Sequence, residues 1–348
     1  MQKKGNRYGT HRVIDPPGAL PQPARKIDNN MAEIYDNEIL CDVITLNVDS
    51  ASFKAILDRA GGRDEKIAEI MRGIVAERGK HQNPWTGSGG MFIGRVAKIG
   101  DALQGKIDLR VGDKIASLVS LSLTPLRIDE ICAIRKENDQ VDITGQAILF
   151  ESAIWAKLPD DLDERLALAV LDVAGAPAQV AKLVKPGDVV LVIGANGKSG
   201  LLCLYEARKR AGAAGKVIAS VRRADAIPVV KNSGFADEII VAAADDALAM
   251  LAAVEGVTAG ALADVVINCV SRENCEMGSI LPCKDGGLVY FFSMATSFTK
   301  AALGAEGVGK DVTMIIGNGY TKNHAAHALN LLRESPYIQR VYAERYAR

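Results

Sequence analysis

Hydrophobic residues change their spacing partway along the chain. Up to about residue 160 they come in short runs broken by glycine: Cys41 to Leu46, Met91 to Ile99, Lys114 to Leu121 and Gly145 to Phe150. Short β-like runs with frequent turns predict a compact β-barrel-like domain. Ala51 to Arg78 departs from that texture, with Ile67, Ile70 and Ile74 at helical spacing, and predicts a helical insertion. Residues 1–40 are polar and turn-rich, with Pro16-Pro17-Gly18 and Pro21-Gln22-Pro23. They predict an ordered but irregular arm.

Beyond residue 160 the pattern alternates. Helices are expected over Asp163 to Leu183, Gly200 to Ala211, Ile227 to Ser233, near 246–254, and over Asn323 to Arg333. Strands are expected over Asp188 to Ile193, Lys216 to Val221, Glu238 to Val241, Asp264 to Val270, Gly287 to Phe292 and Asp311 to Ile316. Strand and helix taking turns, with short connections, predict a parallel α/β sheet. The fold class is therefore α/β: a barrel-like domain joined to a doubly wound parallel sheet.

Composition narrows the function. The 348 residues carry 42 Lys+Arg against 42 Asp+Glu, so no global field draws the chain to nucleic acid or to an anionic membrane. Aromatics are only 5%, which argues against a base-stacking platform. No run approaches the ~20 apolar residues of a membrane helix, and the N-terminus lacks the apolar core of a secretory signal. The cysteines (Cys41, Cys132, Cys203, Cys269, Cys275, Cys283) form no CxxC pair and read as reduced, buried thiols. A soluble, cytoplasmic protein with a small-molecule substrate is expected.

The sharpest motif is Asp188-VVLVI-Gly194-Ala195-Asn196-Gly197-Lys198-Ser199-Gly200. A buried strand running through a glycine turn into a helix aims amide N–H groups and the positive helix end at a phosphate. Gly194 makes the turn, Gly197 permits close approach and Gly200 lets helix and strand pack. The GKS triplet invites a P-loop reading, but GxxxxGKS needs glycine where Val192 stands. The spacing is GxxGxxG, a dinucleotide variant, and a glycine loop without a ligand is the plain alternative. The next strand ends at Val221-Arg222-Arg223, with no acid where NAD-binding folds often place one. Two guanidiniums favour a 2′-phosphate, so NADP is preferred to NAD. A solvated charge pair, or Asp225 turning inward to serve NAD, is the alternative.

With these motifs in order, the chain resembles the medium-chain dehydrogenase/reductase superfamily. Gly90-MFI-Gly94-RVAKI-Gly100 followed by Val111-Gly112-Asp113-Lys114-Ile115 is similar to its barrel signature, and Gly145-QAILFESAIWAK-Leu158-Pro159 to its domain-joining strand. The turn GANGKSG is similar to that of the zinc-free quinone-reductase branch. The resemblance implies a GroES-like catalytic domain over 1–173, completed by 320–348, and a Rossmann domain over 174–319. It also implies a substrate held in the cleft between domains, and a homodimer paired along the last strand. Gly9-THRVI, Leu20-PQPA with Lys26-IDN, Thr86-GSGGM and Ser117-LVSLSLTP resemble a narrower branch, which oxidises a diamino acid in lysine fermentation. That likeness implies NAD(P)-linked oxidative deamination.

Zinc-bearing relatives carry Gly-His-Glu before the barrel glycines and a four-cysteine lobe. Here the stretch is Pro84-WTGSGG and the lobe is missing, so no metal is expected. Asn47 and Asp49 in Leu46-Asn47-Val48-Asp49-Ser50 stand where zinc-free relatives place Asn-x-Asp beside the nicotinamide. Asp49 is the first candidate for base or ammonium anchor and Asn47 for an orienting group; a helix-capping turn is the alternative. Asp172 falls where the family's interdomain helix nears the nicotinamide. His81 is a further candidate, with a surface loop as its alternative. Ser120, Ser122 and Thr124, read as alternating along a strand, could take the substrate carboxylate, with hydroxyls paired in a sheet as the alternative; Glu151 is a further substrate-binding candidate, at an exposed edge or in the cleft. Cys269, Val270 and Ser293 end parallel strands and are expected beside the nicotinamide. His11 and Arg12 could close the arm over the cleft. A quinone or enone reductase, or a nucleotide-binding protein without activity, remain the alternatives.

Overall fold

The computed structural model describes residues 2–293, 295–317 and 319–347. The chain divides into two compact units, Met1–Glu164 and Arg165–Arg348.

The arm of the first unit contains a short antiparallel pair, β1 (Val13–Asp15) with β2 (Lys26–Ile27). A buried ion pair fastens it. Arg12, 1% exposed, grips Glu38 through Nε at 2.6 Å and Nη2 at 2.8 Å, and also donates to the Asn30 and Glu33 carbonyls. His11 Nε2 meets the same carboxylate at 2.8 Å. Burial alone would raise the Glu38 pKa, but the hydrogen bonds from Arg12 and His11 outweigh it and hold the group below its usual value. His11 and Arg12 thus lock the arm to the sheet.

That sheet is antiparallel. Its strands are β3 (Glu38–Asn47), β4 (Met91–Ile99), β5 (Lys114–Ser117), β6 (Leu126–Arg135), β7 (Gln140–Phe150) and β8 (Trp155–Lys157), in the order β6-β7-β3-β4-β5-β8. The expected helical insertion is two helices, α1 (Ser50–Ala60) and α2 (Asp64–Arg78). Gly61 and Gly62 have φ of 59° and 72°, a left-handed stretch that ends the first helix. Apolar faces of both helices and the sheet share one core, including Ile39, Phe53, Ile67 and Phe92. The strand expected over Lys114 to Leu121 stops at Ser117, and a turn follows.

In the second unit the helix expected over Asp163 to Leu183 is bent by 53° into α3 (Glu164–Leu171) and α4 (Gly175–Leu183). The chain then alternates β9 (Val189–Ile193), α5 (Lys198–Ala211), β10 (Lys216–Val221), α6 (Ile227–Lys231), β11 (Glu238–Val241), α7 (Ala247–Thr258), β12 (Ala263–Asn268), α8 (Glu276–Ile280), β13 (Cys283–Phe291), α9 (Phe298–Gly307) and β14 (Thr313–Ile316). All strand pairs are parallel, in the order β11-β10-β9-β12-β13-β14. The winding reverses between β9 and β12, and ligands of such sheets bind outside that switch point. Apolar cores lie on both faces.

Residues 320–347, expected to complete the first domain, carry α10 (His324–Glu334) and α11 (Pro336–Tyr346) and group with the second unit. Lys209 with Glu334 at 2.5 Å, and Glu206 with His327 at 3.3 Å, tie α10 to α5. Among the described residues no single helix is long and apolar enough to cross a membrane. The cysteines are not uniformly buried as expected: Cys132 is exposed on the polar edge strand β6, and Cys269 is half-buried.

Candidate functional site

Gly194 ends β9 with φ of 79°, a left-handed conformation suited to glycine. A Cβ there would lie 2.8 Å from Val270 Cγ2, so the ends of β9 and β12 nearly touch. A Cβ on Gly200 would lie 2.0 Å from the Gly194 carbonyl oxygen, whereas one on Gly197 would meet only that oxygen, at 3.3 Å. Gly200 is therefore needed for packing, while a Cβ on Gly197 would press tightly on one carbonyl oxygen and nothing else. Gly197 caps α5 without a side-chain acceptor, so the amides of Lys198, Ser199 and Gly200 have no intrahelical partner. Unpartnered amides at a helix start are the geometry that suits an anion.

The rest of the turn is held from behind. Tyr342 of α11 donates to the Lys198 carbonyl, and burial pushes its phenol well above the usual range. Arg345 Nη1 donates to the Asn196 carbonyl at 3.0 Å. Lys198 Nζ reaches Asp172 Oδ2 at 2.8 Å. Asp172, expected at the reacting centre, is thus the partner of a turn cation.

In front of the turn lies a cavity of about 440 Å³. Gly194, Asn196, Gly197, Arg222, Cys269 and Val270, all expected at a cofactor, line it. Arg223 points elsewhere, paired with Asp225 at 3.0 Å on the surface. Ser293 is buried past the end of β13, its hydroxyl accepting from Ala295 N. Sequence reasoning missed Arg272 and Asp245, which line the cavity and pair at 2.8 Å. A cation just past a parallel strand was the available signal for Arg272.

The first unit holds the remaining candidates. Asp49 caps α1: Oδ1 accepts from Ser52 N at 2.9 Å and Oδ2 from Ser88 Oγ at 2.8 Å. Ser52 Oγ lies 3.0 Å from Ser88 Oγ and 2.5 Å from Thr86 Oγ1, so a hydroxyl chain runs from half-buried Asp49 to exposed Thr86. Asn47 Oδ1 accepts from Gln140 Nε2 at 3.3 Å.

His81 is not on a surface loop; its side chain is fully buried. Neither ring nitrogen makes a hydrogen bond of ordinary geometry among the described residues. Burial pushes its pKa down to about 4, against a smaller opposing pull from Asp49. Ser120, Ser122 and Thr124 lie in the turn after β5 rather than along a strand, because their hydroxyls bond locally and to the arm. Ser122 Oγ donates to Gln22 Oε1 at 2.6 Å and Thr124 Oγ1 to the Ser120 carbonyl at 2.9 Å. Glu151 is exposed and accepts from Asn37 Nδ2 at 3.1 Å. Among the described residues no three His, Cys, Asp or Glu side chains are grouped to hold a metal ion.

An antiparallel GroES-like unit and a Rossmann unit with a glycine-rich turn give the chain the medium-chain dehydrogenase/reductase fold. A mycobacterial protein solved in complex with NADPH is similar in fold, with 17% identity and a TM-score of 0.55 over 90% of this chain and 85% of its own. Residues 11–159 match the family described as L-erythro-3,5-diaminohexanoate dehydrogenase N-terminal domain. L-erythro-3,5-diaminohexanoate dehydrogenases of Acetoanaerobium sticklandii and Fusobacterium nucleatum are each 60% identical, over 99% of this chain and 99% of their own. The chain belongs to the L-erythro-3,5-diaminohexanoate dehydrogenase family.

Proposed function

We propose that this chain catalyses the NAD(P)-dependent oxidative deamination of L-erythro-3,5-diaminohexanoate to 5-amino-3-oxohexanoate and ammonia, in lysine fermentation. The observation that carries the reading is the 60% identity, over nearly the whole of both chains, to dehydrogenases of that name. The fit of a dinucleotide supports it: Gly197 leaves room for a phosphate at amides that lack partners. When bound, the nicotinamide supplies the hydride acceptor for C3 of the substrate.

The residues then divide the work. The amides of Lys198, Ser199 and Gly200 hold the pyrophosphate, with Asn196 shaping the turn and Asp172 keeping Lys198 in position. Arg222 and Arg272 favour a 2′-phosphate, hence NADP over NAD. Cys269, Val270 and Ser293 serve the nicotinamide side.

The 3-ammonium must lose a proton before C3 can give up hydride. We assign that proton to Asp49 Oδ2, with Ser88, Ser52 and Thr86 as its route to solvent, and Asn47 as the orienting group. Neutral His81 adds no second positive charge beside the substrate ammonium. Half-buried Ser120 is assigned to the carboxylate, with the buried Ser122 and Thr124 holding its turn, and Glu151 to the 5-ammonium. The C3–N bond becomes an imine, and water converts it to the ketone and ammonia. The open edge of β14, where Ile316 is exposed, supports a homodimer.

The test follows the absorbance of reduced cofactor with 3,5-diaminohexanoate, lysine, simple alcohols and a quinone, using each nucleotide. Turnover is expected with the diamino acid. Turnover of the quinone without it would make the chain a reductase. NADP binding with no reaction on any substrate would leave a nucleotide-binding protein.

A further inference from the structure

We propose that Cys203 and Cys269 are a modification site: a reversible disulfide that a hydroperoxide forms in the wall of the cofactor cavity and that disables nucleotide binding. The proposal rests on the reading of that cavity as the nucleotide site.

The two sulfurs are 3.7 Å apart although 66 residues separate them in the chain. Cys203 lies in the second turn of α5 and is fully buried. Cys269 follows β12, is half-buried and is among the residues that line the cavity, so of the two thiols it is the one nearer to a small peroxide entering there. The arrangement differs from that of the other polar-contacting thiols: Cys132 faces the Thr144 hydroxyl and Cys275 the Glu273 carbonyl. A disulfide requires about 2.05 Å between sulfurs, so the pair must close by less than 2 Å.

The chemistry assigns separate roles. The Cys269 thiolate attacks the O–O bond of the hydroperoxide, forming a sulfenic acid and releasing the alcohol or water. The sulfur of Cys203 then attacks the sulfenic sulfur; the S–S bond forms, the S–O bond breaks and water leaves. Two thiols lose two electrons and two protons, and the hydroperoxide is reduced to an alcohol and a water. Burial holds the Cys203 thiol well above its usual pKa, with Cys269 adding to the shift, so Cys203 is the poorer first nucleophile, and its place beside Cys269 gives it the second step.

The cross-link reaches the glycine turn directly. Cys203 rides on the helix whose N-terminus binds phosphate, and a Cβ on Gly194 would lie 3.6 Å from the Cys269 carbonyl carbon. Drawing the sulfurs together shifts that wall against the turn. A bound dinucleotide covers Cys269, so cofactor and oxidant compete for one state of the protein.

Reduced full-length protein is treated with hydrogen peroxide, with and without NADP. Free thiols are then blocked, and the digest is searched by mass spectrometry for a Cys203–Cys269 peptide. NADPH fluorescence titration before and after dithiothreitol gives the affinity. The cross-linked peptide is expected without NADP and suppressed with it. Affinity should drop at least about tenfold, the scale of a lost hydrogen bond to a charged group, and recover on reduction. Cys203→Ala and Cys203→Ser should bind NADPH normally when reduced and resist peroxide. Absence of the cross-linked peptide, or its formation with unchanged affinity, overturns the proposal. A cross-link in protein that binds no NADPH even when reduced overturns the cofactor reading and with it the regulatory role.

Discussion

Acid should destabilise the first unit through His81. A histidine in the unfolded chain titrates near 6.5, whereas the buried ring titrates at about 4. Between those values the unfolded chain binds a proton that the folded one refuses, so stability falls as pH drops through that window and levels off below it. A gap of roughly 2.5 units at about 1.4 kcal/mol each makes the loss about 3 kcal/mol by pH 4. Carboxylates also take up protons at acid pH, so the measurement is a difference between the natural chain and His81→Leu. The ring makes no ordinary hydrogen bond, so the substitution should cost less than about 1.5 kcal/mol at pH 7. Both tryptophans of the chain, Trp85 and Trp155, lie in the first unit. Urea unfolding followed by their fluorescence therefore reports the unit that holds His81. The variant should gain about 3 kcal/mol on the natural chain between pH 7 and pH 4. A flat difference would refute the argument and point to a protonated or hydrated ring.

Other substitutions separate packing from binding. Gly200→Ala forces a Cβ to within 2.0 Å of the Gly194 carbonyl and should cost about 1–3 kcal/mol of stability, lowering Tm by calorimetry and weakening NADP binding together. Gly197→Ala meets only the Gly194 carbonyl oxygen, at 3.3 Å, so Tm should fall less than in Gly200→Ala while calorimetric titration shows weaker NADP binding; unchanged binding would mean that no phosphate sits there. Arg222→Gln or Arg272→Gln should raise KM for NADP about tenfold with little change for NAD, whereas Arg223→Gln should alter neither, because Arg223 is paired with Asp225 outside the cavity. Arg12→Met leaves Glu38 buried without its main partner and should destabilise the first unit by about 3–5 kcal/mol, with limited proteolysis showing a released arm.

The alternation of strand and helix and the glycine turn were legible in the sequence because both are local. A strand, three glycines at fixed offsets and a helix determine where amides point, whatever else surrounds them. Arg222 was legible for the same reason, sitting at the end of the next strand. The break at Gly61-Gly62 was also local, and the helical spacing around it masked it. Other features depended on residues far apart in sequence. Arg272 and Asp245 meet because β11 and β12 end beside one cavity, and Asp172 finds Lys198 because the end of α3 faces the turn. The last helices pack on the second unit through side chains, such as Tyr342, whose partners lie more than a hundred residues earlier. His81 looks like a loop histidine until the surrounding elements close over it. Periodicity and turn chemistry act over a few residues and determined the elements and the glycine turn. Burial and charge pairing arise from packing between elements, so only the tertiary structure decided which charges face the cavity, which histidine stays neutral and which two thiols meet.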